Sequence, residues 1–289
     1  MLRLPRILLA LLILGLGARG AAADPAVWVV KSPTATVVLF GSVHVLPPAL
    51  KWEPAPLARA LAEAQDVWFE IPIDDASNLA AGQAALAAGM LPAGERLSAE
   101  LTPHDQARLA RAALACGLPL EGLDRLKPWL ADVTLSVASY RQAGAVVEDG
   151  VERQLSAALP ASVERHAFET PAEQIGYLAG ASIPDQVASL RQTLDELAQG
   201  PEGYRRLVRA WMAGDAKALQ REALGPMMTQ APGVYRSLVV DRNHRWVDAI
   251  AQRLSGSGEA VMIVGVGHLV GPDSVPALLR ARGYRVDGP

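Results

Sequence analysis

Two histidines carry the first chemical signal in this chain, because each follows an apolar run at the same spacing. Gly41-Ser42-Val43-His44 comes after Ala35-Thr36-Val37-Val38-Leu39-Phe40, and Gly265-Val266-Gly267-His268 after Ala260-Val261-Met262-Ile263-Val264. A neutral imidazole binds a transition metal or accepts a proton near neutral pH. If both runs are strands that end at one sheet edge, these two imidazoles meet although more than two hundred residues separate them. Glu70 ends a third such run, Val67-Trp68-Phe69. His44, Glu70 and His268 are therefore the expected metal ligands, two nitrogens and one oxygen that leave a position open for water on a divalent ion. Their spacing does not select zinc over manganese or cobalt. A second carboxylate, Glu169, is expected to take the proton of that water.

Arg242 and Asn243 complement this set. The guanidinium suits a carboxylate or a developing oxyanion, and the amide suits orienting a ligand or substrate. His244 and Arg245 face other directions at helical spacing, while His104 and His166 are isolated. The single Cys116 excludes an internal disulfide and reads as a packed thiol. There is no H-E-x-x-H pair and no G-x-S-x-G elbow.

Positioning these residues requires an α/β fold with a mixed central sheet formed by the N- and C-terminal regions and a large helical middle insertion. Val27 to Val30 and Thr36 to Phe40 read as a hairpin across Lys31-Ser32-Pro33-Thr34-Ala35, and a helix around Pro56 to Ala64 leads to the strand ending at Glu70. From about residue 76 to 225, Ala- and Leu-rich amphipathic stretches alternate with Gly/Pro stops. Thr102-Pro103 and Thr170-Pro171-Ala172-Glu173 look like capped helix starts, the second with capping-box spacing. Glu164 to Glu169 reads as a short strand that returns Glu169 to the sheet edge. A long helix around Gly233 to Leu254, the strand Ala260 to Val264, a helix from about Ser274 to Arg282 and a strand around Tyr284 to Val286 close the unit.

Residues 1–23 have the pattern of a secretory signal peptide: Arg3 and Arg6, the apolar run Ile7 to Leu14, then Ala21-Ala22-Ala23. Residues 24–289 would then be one mature domain, periplasmic or secreted, with no stable membrane span after cleavage. Loss of Arg3, Arg6 and Arg19 with that leader moves the formal charge from −3 to −6. Such a net charge does not draw nucleic acid.

The motifs resemble the TraB/GumN family, whose wider relatives include the Tiki metalloproteases and, more remotely, erythromycin-esterase-like proteins. The resemblance runs through Leu39-Phe40-Gly41-Ser42-Val43-His44, Lys127-Pro128-Trp129, Glu148-Asp149-Gly150-Val151 and Phe168-Glu169-Thr170-Pro171-Ala172-Glu173-Gln174. It continues through Ala210-Trp211-Met212-Ala213-Gly214-Asp215, Asp241-Arg242-Asn243-His244-Arg245-Trp246 and Val264-Gly265-Val266-Gly267-His268-Leu269-Val270-Gly271, followed by Gly283-Tyr284-Arg285-Val286. Ser42 stands where threonine is common, and Val270 where proline is common. The resemblance implies an α/β fold with paired G-x-x-H histidines and acidic residues around one site, and it supports hydrolysis of a peptide amide assisted by manganese, cobalt or another divalent ion.

The expected activity is thus metal-dependent hydrolysis of a peptide or exported polypeptide. His44, Glu70 and His268 would hold the ion, Glu169 would act as base, and Arg242 with Asn243 would serve the substrate. The alternatives are a metal-independent ester hydrolase using histidine and glutamate, and a periplasmic ligand-binding or regulatory protein without catalysis.

Overall fold

The computed structural model describes residues 24–289, so the expected leader at 1–23 lies outside the described residues. Six strands form one mixed sheet: β1 (Val27–Lys31), β2 (Ala35–Ser42), β3 (Asp66–Phe69), β4 (Glu164–Ala167), β5 (Gly258–Gly265) and β6 (Arg285–Asp287), in the order β4-β3-β5-β2-β1-β6. Strands β2, β5, β3 and β4 run parallel, while β1 is antiparallel to both β2 and β6. The hairpin β1–β2 turns at Ser32, whose Oγ accepts the Ala35 amide at 3.0 Å. At the centre, β2 pairs with β5 from Ala35 against Gly258 to Ser42 against Gly265. Both strands are almost wholly buried, which is why they read as continuous β-branched runs rather than as an apolar–polar alternation.

This topology fixes the location of the chemistry. The four parallel strands all end at one edge, and residues 44, 70, 169 and 268 follow those ends directly. The amides of Phe168 and Glu169 donate to the carbonyls of Phe69 and Glu70 at 3.0 and 2.9 Å, so Glu169 is held beside Glu70. The short strand expected before Thr170 is present, and Thr170 with Glu173 forms the expected capping box.

Between β3 and β5 the chain is mostly helical. The helices Pro103–Ala115, Pro128–Gln142 and Ile183–Ala198 share an apolar core that includes Leu109, Leu135 and Leu190. The expected large helical middle region is therefore present, and helices continue past residue 225 to Leu254. The expected long helix at 233–254 is present and contains one widened turn: Pro232–Tyr235, a π-helical turn at Arg236–Val240, and the helix Asp241–Leu254 follow without interruption. That last helix buries Arg242, Asn243, Trp246, Val247, Ile250 and Leu254 along one stripe, which brings Arg242 and Asn243 inward with the apolar residues. Among the described residues, no helix is long and apolar enough to cross a membrane.

The segment after β2 is held from several sides. Val151 N–H donates to the Val43 carbonyl at 3.2 Å, Leu46 and Val146 exchange backbone bonds at 3.3 and 3.0 Å, and the Tyr204 hydroxyl donates to the Val45 carbonyl at 3.0 Å. Gly150 lies so close to His44 that a Cβ would collide with the His44 carbonyl oxygen, a backbone atom with little room to retreat. Gly150→Ala is expected to destabilise the fold by about 1–3 kcal/mol, read as a lower urea midpoint with an unchanged slope. An unchanged midpoint would contradict this tight clamp on the His44 segment.

Candidate active site

A cavity of about 630 Å³ opens at the strand ends, with His44, Glu70, Glu152, Arg242 and His268 on its wall and apolar residues such as Val43, Ile71, Leu224 and Met227 around them. A hollow of about 690 Å³ lies at the opposite ends of β3 and β4, but its Asp66 is already held bidentately by Arg253, from Nε to Oδ2 at 3.0 Å and from Nη2 to Oδ1 at 2.7 Å. Most of the residues singled out in the sequence therefore gather at the first cavity.

Arg242 organises its buried side. Nε donates to Glu169 at 2.9 Å; Nη2 donates to Glu70 at 2.6 Å and to Glu169 at 2.9 Å; Nη1 donates to the Leu238 carbonyl at 3.1 Å and faces His268 Nε2 at 3.1 Å. All five N–H groups of the guanidinium are engaged within the protein. The Leu238 carbonyl comes from the π-helical turn, a widened geometry that recurs at functional sites and leaves no mark in residue composition. Trp246 completes the setting, its ring 4.7 Å from the guanidinium carbon and its Nε1 donating to Glu169 at 2.9 Å.

Burial alone would raise the Glu70 pKa. Arg242 foremost, then His268, His44 and the Gly265 amide, outweigh that effect and hold Glu70 well below the ordinary carboxylate range. Its Oε1 accepts the Gly265 amide at 2.7 Å, and its Oε2 also accepts Gln174 Nε2 at 3.0 Å. Glu70 is a fixed anion.

Asn243 settles the state of His268. Its Nδ2 donates to the Asp273 carbonyl at 2.8 Å, so its Oδ1 is the acceptor that faces His268 Nδ1 at 2.7 Å. The proton of His268 is therefore on Nδ1, and Nε2 accepts from Arg242. Burial, reinforced by the charge of Arg242 and opposed by Glu70, lowers the His268 pKa to about 3. This imidazole is neutral.

His44 is in the opposite environment. Its Nδ1 lies 2.6 Å from Glu152 Oε1, which also accepts Ser42 Oγ at 2.5 Å, while the His44 side chain stays 66 % exposed in the cavity. Glu152 raises its pKa to about 9 against the opposing effect of desolvation. A Cβ on Gly265 would sit 3.1 Å from Glu70 Oε1 and 3.5 Å from His44 Nε2, so both atoms lie over the bare backbone of this glycine.

The expected residues do meet, in different relations from those their types suggested. Glu169 does not line the cavity; its side chain is 1 % exposed and receives Arg242, Arg245 and Trp246, a position for holding Arg242 rather than meeting water. Asn243 is fully buried and acts on His268. Arg242 has no N–H free for a substrate oxyanion. His44, Glu70 and His268 converge, but Arg242 occupies His268 Nε2 and one oxygen of Glu70. As arranged they offer a cation two atoms, His44 Nε2 and Glu70 Oε1, and so do not fit a three-ligand site. Among the described residues, no three His, Cys, Asp or Glu side chains are grouped ready to hold an ion.

Sequence reasoning missed Glu152, Gln174 and the π-helical turn. Glu152 directly follows the Glu148-Asp149-Gly150-Val151 motif, and Gln174 ends the Thr170 capping segment, so both lay beside recognised signals. Arg245, set aside on helical spacing, reaches Glu169 from outside at 3.3 Å. His104 is exposed, and His166 stacks on Trp68 at 4.8 Å, in keeping with a structural place.

Arg242→Met would leave Glu70 and Glu169 buried without their shared cation. The expected loss at pH 7 is about 3–5 kcal/mol of unfolding free energy. The native Glu70 pKa is depressed, so its contribution is present above the unfolded carboxylate value and is lost as pH falls through the native one. In the variant the sign reverses, because the folded pKa lies above the unfolded one: stability rises as pH is lowered from 7 toward 5. Denaturant titrations at both pH values would check this, and a loss below about 1 kcal/mol would contradict the central place given to Arg242.

The family model for the TraB/PrgY/gumN family matches residues 26–288, nearly the whole described chain. No curated protein and no solved structure matches. The match takes in all six strands and every residue of the cavity described above, and the chain belongs to the TraB/PrgY/gumN family.

Proposed function

We propose that this protein hydrolyses an acyl ester or a peptide amide, with His44 as general base and no metal required for that step. One observation carries the reading: His44 Nδ1 is tied to Glu152 while its other ring nitrogen is left open in the cavity beside Glu70. This is the arrangement in which a carboxylate fixes the tautomer of an imidazole and stabilises the imidazolium that forms. In its neutral form, which grows as pH rises toward 9, His44 takes a proton from water on Nε2 as the water oxygen bonds to the carbonyl carbon. The bond to the leaving oxygen or nitrogen then breaks, and the imidazolium returns the proton to it. Gln174 has a second N–H beyond the one given to Glu70 and lies on the cavity wall, where it can meet the carbonyl oxygen. Valine, isoleucine, leucine and methionine on the wall suit an apolar group beside the scissile bond. The leader-like residues 1–23 support action in the periplasm or outside the cell.

A second reading keeps the same residues but assigns His44, Glu70 and His268 to a divalent ion, manganese or cobalt, with zinc also suited to the ligand types. The convergence of the three side chains at one cavity favours it. It requires Arg242 to release His268 and Glu70.

The two readings separate in a turnover assay. With p-nitrophenyl hexanoate as substrate, EDTA is expected to leave the rate unchanged; loss on chelation and recovery with manganese or cobalt would replace the first reading by the second. His44→Ala should lower kcat by about a hundredfold or more. The base form of His44 grows as pH rises, so kcat/KM should climb through a midpoint near 9. Glu152→Gln removes the foremost cause of that elevation and should move the midpoint down toward 6.5. A profile that falls between pH 7 and 9 would make His44 an acid and overturn its assignment as base.

A further inference from the structure

The charged groups at this cavity pair off with one exception. Glu70 and Glu169 face Arg242, and Arg245 adds a second cation to Glu169. Glu152 faces His44. Arg153, on the helix Val151–Ala158 next to Glu152, also lines the cavity, yet no side chain or carbonyl among the described residues accepts a hydrogen bond from it. Every other arginine on a cavity wall is answered within the protein: Arg206 and Arg221 by Glu222, Arg253 by Asp66, Arg242 by its carboxylates. Arg153 is half-buried. A guanidinium on the wall of an open cavity, with its N–H groups uncommitted to the protein, is available to an anion from outside.

We infer that Arg153 is a specificity residue that binds a carboxylate carried by the substrate, one apolar spacer away from the bond to be cleaved. The guanidinium fork matches a carboxylate in two parallel hydrogen bonds, and it has its N–H groups free where Arg242 has none. Valine and leucine side chains that line the same cavity would take the intervening hydrocarbon. The preferred class is then an acyl ester or amide with a free carboxylate, such as an N-acyl amino acid or the carboxyl-terminal end of a peptide. Its role in turnover rests on the hydrolase reading, whereas the anion binding itself does not.

Calorimetric titration of the full chain at pH 7 tests this with two probes of one shape, hexanoate and hexanamide. Wild type should bind hexanoate about tenfold or more tightly than hexanamide, and Arg153→Gln should abolish that difference. Arg153→Lys keeps the charge without the fork and should retain part of it, with thermal unfolding reporting that both variants are folded. Equal affinities for the two probes in wild type, or a preference that survives in Arg153→Gln, would overturn the assignment. If hexanoate is preferred through Arg153 but neither p-nitrophenyl hexanoate nor the mono-p-nitrophenyl ester of adipic acid, which keeps a free carboxylate, is turned over, the hydrolase reading fails and the anion site stands.

Discussion

A guanidinium taken out of water between two carboxylates and an imidazole is the constraint on which the rest of the site depends. Arg242 is 5 % exposed, and such a charge is tolerable only with all its donors satisfied in good geometry. Meeting that condition requires four separate pieces of chain at one point: the residue after β3, the residue after β4, the loop after β5, and the π-helical turn that supplies the Leu238 carbonyl. The parallel strand ends bring the first three together. The buried stripe of the helix Asp241–Leu254, running from Arg242 to Leu254, turns the arginine itself inward.

From that one interaction follows the division between the two histidines. His268 shares the buried side with Arg242, so burial and a neighbouring positive charge both disfavour its cation. His44 leaves the adjacent strand end toward the open cavity and meets Glu152 instead, which favours its cation. The repeated G-x-x-H pattern thus places two chemically different groups a short distance apart. Pairs of titratable groups pushed in opposite directions are where acid–base roles separate. In this arrangement His268 is enclosed by its partners, and His44 is the group open to the cavity.

The sheet was legible because its central strands are buried on both sides and therefore uniformly apolar, and because the histidines and Glu70 stand directly after such runs. Glu169 was legible through the Thr170 cap, which stops the helix from extending back into β4. What the pattern could not carry was the partner of each residue. Glu152 pairs with His44 across 108 positions, and that pairing depends on Gly150 fitting against the His44 carbonyl, a contact without a periodic signature. The π-helical turn at Arg236–Val240 has the residues of an ordinary helix, so the segment read as continuous. Arg242 looked available to a substrate for a related reason: residue type shows what a side chain can donate, and only packing shows to whom it already does.

The most direct test of this account is the protonation of the two imidazoles, followed by nitrogen NMR of the full chain labelled at histidine. His268 should remain neutral, with its proton on Nδ1, down to about pH 4, while His44 stays charged up to about pH 9. Two rings that titrate together near 6.5, or a His268 with its proton on Nε2, would contradict the arrangement in which Arg242 holds one histidine neutral and Glu152 holds the other charged.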